Sequence, residues 1–148
     1  MGRVLNCVIC DEIRQEVTNK YMLIGVYVGD MVLPDFPSHA AISLWIQYRP
    51  DRLGEREISF RFNGPSQEEG KLAPFASMKV LASIDRLSDV AIPLQKMVFT
   101  ADRPGEVSVE FSEDNENWTE VNRLKVIRGE VASVGFSPPR PSGAPSNL

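Results

Sequence analysis

Ala41-Ile42-Ser43-Leu44-Trp45-Ile46-Gln47-Tyr48 alternates without a break, with Ile42, Leu44, Ile46 and Tyr48 on one side and Ala41, Ser43, Trp45 and Gln47 on the other. Successive side chains of an extended chain point to opposite faces. The stretch therefore reads as a strand with one face in a core and one toward water. Two further stretches follow the same rule. Ile58, Phe60 and Phe62 alternate with Glu57, Ser59 and Arg61, and Val107, Val109 and Phe111 alternate with Glu106, Ser108, Glu110 and Ser112. One wet face per strand is the pattern of antiparallel sheets.

Working outward, residues 20–28 are apolar at nearly every position, as in a central strand covered on both sides. Residues 4–10 read the same way over a shorter span. Leu124 and Val126 share a phase that Val121 leaves, which predicts a bulge or a late strand start near Asn122. Residues 76–85 fit two templates. Met78, Val80, Ala82 and Ile84 suit a strand, whereas Leu72, Phe75, Met78 and Leu81 suit a helical face with Pro74 in its first turn. The strand is preferred.

Turn-forming residues separate these segments. Asp51-Arg52-Leu53-Gly54 links the strand ending at Tyr48 to the one starting at Glu55. Asn63-Gly64-Pro65 opens a polar loop running through Gly70. Asp102-Arg103-Pro104-Gly105 carries the Pro and Gly of a type II turn, and residues 113–117 form an acidic hairpin tip. Seven to nine short strands without a convincing long helix predict an all-β fold. The expected form is an antiparallel β-sandwich, immunoglobulin-like in general architecture. Residues 1–129 are read as one domain, and the Pro-, Ser- and Gly-rich residues 130–148 as a disordered tail.

The 148 residues carry 16 basic and 20 acidic side chains, a net charge of -4. That balance lacks the basic stripe that neutralises phosphates and argues against nucleic acid or an anionic membrane surface as partner. No run approaches the roughly eighteen apolar residues of a membrane span. Too few apolar residues follow Arg3 for a signal peptide, so a cytoplasmic location is expected.

Cys7-Val8-Ile9-Cys10 has the spacing of a redox pair or half a zinc site. In a strand, however, residues three apart point to opposite faces. A zinc site needs four ligands, and the chain has two cysteines and one histidine. Two buried thiols are expected, with no metal and no cofactor. His39 stands without the nucleophile and orienting carboxylate of a catalytic set. The tip at residues 113–117 has calcium-type oxygen donors without the spacing that wraps an ion. Asp11, Glu12 and Glu16, or Asp85 and Asp89, supply carboxylates with nothing to part their pKa values. No phosphate-binding or dinucleotide motif is present, and no enzymatic activity is expected. Pro138 to Pro141 has P-x-x-P spacing, as in polyproline ligands, and is read as tail.

Trp45 stands out because it sits between Ser43 and Gln47 on the polar side of its strand. An aromatic there is a candidate contact residue, and Trp45, Ser43 and Gln47 form the candidate binding set. Two functions follow. One is a non-enzymatic interaction module that binds a protein partner or a second copy of the chain. The other is a small-molecule or carbohydrate-binding domain with Trp45 as stacking platform. A concave pocket with convergent polar groups around Trp45 favours the second, and a flat sheet favours the first.

The Cys10-Asp11 step, the Leu23-Ile24-Gly25 strand, residues 41–48 leading into 58–62, and Pro104-Gly105 before Val107 are the residues on which a resemblance rests. Over residues 4–128 the chain resembles a bacterial family known as a domain of unknown function. The resemblance implies a compact β-sandwich and brings no activity, ligand or site.

Overall fold

A computed structural model describes residues 1–66, 68 and 70–129. The tail and the P-x-x-P spacing lie outside the described residues. Nine strands follow one another: β1 (Arg3–Gln15), β2 (Tyr21–Val26), β3 (Asp30–Leu33), β4 (Ser38–Arg49), β5 (Gly54–Pro65), β6 (Leu72–Ile84), β7 (Val90–Ala101), β8 (Gly105–Ser112) and β9 (Thr119–Arg128). They form two sheets, ordered β2-β1-β4-β7 and β3-β9-β8-β5-β6. The fold is an all-β sandwich. Every pairing is antiparallel except β3 with β9, which is parallel.

The alternation predicts the core directly. Ile42, Leu44, Ile46 and Tyr48 from one sheet meet Ile58, Phe60, Phe62, Val107 and Val109 from the other, all fully buried. Phe75 bridges the layers, stacked on Phe99 at 5.0 Å and tilted against Phe62 at 6.1 Å between centroids. Residues 72–84 are strand, which settles the helical alternative. The expected irregularity near Asn122 is present as a bulge: Asn122 pairs with Val109 and Glu120 with Glu110, leaving Val121 unpaired.

Three local expectations need correction. The apolar run at residues 20–28 is no central strand. Its ordered part is β2, at the edge of its sheet, with Met22 and Val26 about half exposed. The chain then crosses to the other sheet as β3. Residues 63–65 do not open a loop but extend β5, paired with Pro74, Ala73 and Leu72. The turn before β8 is not type II, because Gly105 lacks the positive φ that such a turn requires. Gly105 is small for another reason. A Cβ there would lie 2.9 Å from Pro65 Cβ and 3.0 Å from its Cγ.

Candidate functional site

Trp45 lies on the outer face of β4, with Val8 of β1 and Pro93 of β7 as its lateral neighbours. It is half-buried rather than bare. Tyr21, at the start of β2, meets it with ring centroids 6.2 Å apart and planes inclined by 57°. The indole Nε1 is buried without a hydrogen-bond partner, so the open part of the ring is hydrocarbon.

One pleat along, Gln47 sits between Asn6 and Ala91. Its Oε1 accepts from Asn6 Nδ2 at 2.6 Å, and its Nε2 donates to Asp89 at 2.7 Å. Arg49 clamps the same carboxylate through two donors, Nε at 2.7 Å and Nη2 at 3.1 Å. The guanidinium holds the Asp89 carboxyl below its ordinary pKa. This chain of bonds fixes Gln47 and Asp89 beside the aromatic pair. Together with Asn19 and Asp85 they line a cavity of about 520 Å³. The size falls within the range of small-molecule sites.

Of the three residues expected to bind, the structure brings Trp45 and Gln47 together in this cavity and leaves Ser43 out. Ser43 is fully buried. Two residues of β7, Gln95 and Lys96, stand opposite it between the Ile42–Met97 and Leu44–Leu94 pairs, and Lys96 has φ 55°. The Ser43 hydroxyl donates to the Asp11 carbonyl and accepts from the Lys96 amide, both at 3.1 Å. Its role is to satisfy this bulge, as buried backbone groups require.

Tyr21 and Asn19 escaped the sequence reading, and Asp89 entered it only as a carboxylate paired with Asp85, not as a neighbour of Trp45. Tyr21 was absorbed in an apolar run, and Asp89 lies far from Trp45 along the chain. A second group was legible by phase. Arg56 continues the inward series Ile58, Phe60 and Phe62, and Glu113 continues Val107, Val109 and Phe111. Both turn inward to Tyr48: Arg56 Nη1 donates to the Tyr48 hydroxyl at 2.9 Å and to Asp51 at 2.8 Å, and the Tyr48 hydroxyl donates to Glu113. Burial, with the Glu113 bond, pushes the Tyr48 phenol up to about 12.

The remaining candidates are placed plainly. Cys7 and Cys10 are free thiols, Cys7 half-buried and Cys10 fully buried. Burial pushes the Cys7 thiol up to about 12, far from the thiolate that metal or redox chemistry needs. Exposed His39 meets the Thr100 hydroxyl at 2.9 Å. At the hairpin tip Asp114 accepts from the amides of Glu116 and Asn117, both at 2.8 Å, so its carboxylate serves the turn. Among the described residues no group of three or more His, Cys, Asp or Glu side chains is placed to hold a metal ion. No helix there is long and apolar enough to cross a membrane.

A scan against protein-family models finds no match, and a search of the curated proteins finds none. Among solved structures the chain is similar to a β-glucosidase of Erythrobacter marinus, at 12% identity and a TM-score of 0.39. The match covers 86% of this chain but only 15% of that one. A likeness at this level carries nothing for function.

Proposed function

We propose that this protein is a non-enzymatic binding domain for a small hydroxylated ligand of the carbohydrate kind, held in the cavity beside Trp45. One observation carries the reading: the Trp45 and Tyr21 rings share a concave site with the fixed polar groups of Gln47 and Asp89. A pyranose has apolar C–H faces that suit an aromatic ring and equatorial hydroxyls that suit amides and carboxylates. Those polar groups are already held by one another, so little ordering entropy is lost on binding. The Arg49 clamp also keeps Asp89 ionised, which makes it a poor general acid. A cytoplasmic setting is part of the same proposal.

A second reading is an interaction module for a protein partner or a second copy of the chain. The long edge of β6, unpaired among the described residues and with Leu81 73% exposed, favours it. One experiment separates the two. With Trp118 replaced by Phe, Trp45 emission is followed against a panel of methyl glycosides and against protein concentration. Saturable change with a glycoside, together with a calorimetric heat of binding that Trp45→Ala abolishes, supports the cavity reading. No response to any glycoside, with acrylamide quenching that falls as the protein is concentrated, replaces it with self-association.

A further inference from the structure

We infer that the ligand is an amphiphile, a hydroxylated head group carrying an alkyl chain, with the chain lying in a groove between β6 and β7. The inference rests on the cavity reading above and extends it. β7 ends one sheet and β6 ends the other, so among the described residues no further strand covers the space between them on this side of the sandwich. A groove of about 360 Å³ lies there, walled by Val80, Leu81 and Ala82 on one side and Ile92, Pro93 and Leu94 on the other. Val80, Ala82, Ile92 and Leu94 belong to or pack on the core, so the floor of the groove is hydrocarbon.

Continuity ties the groove to the cavity. Ser83, Ile84, Val90 and Ala91 line both, so the aromatic and polar end opens directly into the apolar end. None of the groove's lining residues carries a charge, whereas the cavity has Asp85, Arg86 and Asp89. A ligand filling both must change from polar to apolar along its length. Pro93 has no N–H to donate, and the positive φ of Lys96 breaks the regular edge of β7 just beyond the groove. Both features hinder an added peptide strand on that side and favour an occupant that needs no backbone partners.

The test is calorimetric titration of the full chain with methyl, butyl, hexyl and octyl β-glucosides kept below their micelle concentrations. Affinity should rise by up to about fourfold per methylene while the chain fills the groove, as burial of each CH₂ group dictates. Leu81→Glu and Leu81→Lys, both at an exposed position on the far wall from Trp45, should keep the affinity for the methyl glucoside and lose most of the chain-length gain. Trp45→Ala should weaken the whole series together. Affinity independent of chain length overturns the groove while leaving the cavity reading standing. A gain with chain length that persists in both groove variants also overturns it. Octyl glucoside binding untouched by Trp45→Ala overturns the shared site, and failure of every glucoside to bind removes the cavity reading for this head group and the amphiphile with it.

Discussion

Glu113 and Arg56 show how much a single buried charge depends on its partner. Arg56 is 7% exposed and is held by Asp51, Tyr48 and Glu113. Its Nη2 donates to the Arg52 carbonyl at 3.3 Å, while its Nε is buried without a partner. Removing one member of such a group leaves a buried charge poorly compensated. Glu113→Ala should therefore cost about 3 kcal/mol in urea denaturation, at the lower end of the range for a broken buried pair. The triple replacement Arg56→Met, Glu113→Leu and Tyr48→Phe should cost less than half of that, since the desolvation of both charges disappears and no buried hydroxyl is left unpaired. Trp45 is the opposite case, a large ring only half covered. Trp45→Ala should cost about 2 kcal/mol, between the near-neutral effect of an exposed site and the larger loss from a buried aromatic. A loss above about 4 kcal/mol would mean that the ring is core, and Trp45 should then be withdrawn as a contact residue.

Among the elements, β5 and β6 show where pattern reading works and where it stops. Alternation located Ile58, Phe60 and Phe62 and settled their face, because a period of two admits only one inward set. It did not locate the end of β5, since Asn63-Gly64-Pro65 carries turn residues yet pairs with β6 through Pro65. The reason is tertiary. Gly64 lies under the ring of Phe75, and Pro65 packs against Gly105 at the start of β8. Gly105→Ala should cost about 2 kcal/mol, the scale of forcing an extra methyl into a packed contact. The measurement is a shift in the denaturation midpoint with unchanged slope. A neutral substitution would mean that the strand end is loose enough to yield. For β6, Leu81 decided the two templates. In the helical pattern it joins Leu72, Phe75 and Met78, whereas in the strand it points out and is 73% exposed.

At the scale of the whole molecule, stability should decline at alkaline pH. Burial raises the Cys7 thiol from 9.0 to about 12. Between those values the folded protein holds a proton that the unfolded chain has lost, so unfolding is favoured as pH rises. The contribution is fully present below about pH 9 and gone by about pH 12. Tyr27 and Tyr48, raised from 10.0 to about 12, steepen the loss above pH 10. Cys7→Val should flatten the decline between about pH 9 and 10, where a single group falls at about 1.4 kcal/mol per pH unit. An identical slope in the variant would show that Cys7 is not protected.

The sequence by itself determined the class of fold, the inward faces of β4, β5 and β8, an irregularity near Asn122 and the prominence of Trp45. All of these follow from a local rule, the two-residue period of an extended chain, which needs no knowledge of what lies across the sheet. The same period would have turned Arg56 and Glu113 inward, yet the sequence reading places Glu113 in the acidic hairpin tip, and the structure packs it against Tyr48 instead. Only the tertiary structure decided which strands are edges, that β3 runs parallel to β9, and that Ser43 serves a bulge instead of a ligand. It alone joined Tyr21, Trp45, Gln47 and Asp89, which lie on two strands and a loop, into one cavity. Such a site arises from strand order and register, and these are settled by the packing of one sheet on the other and by connections that cross between them. No periodicity within a single strand records that choice.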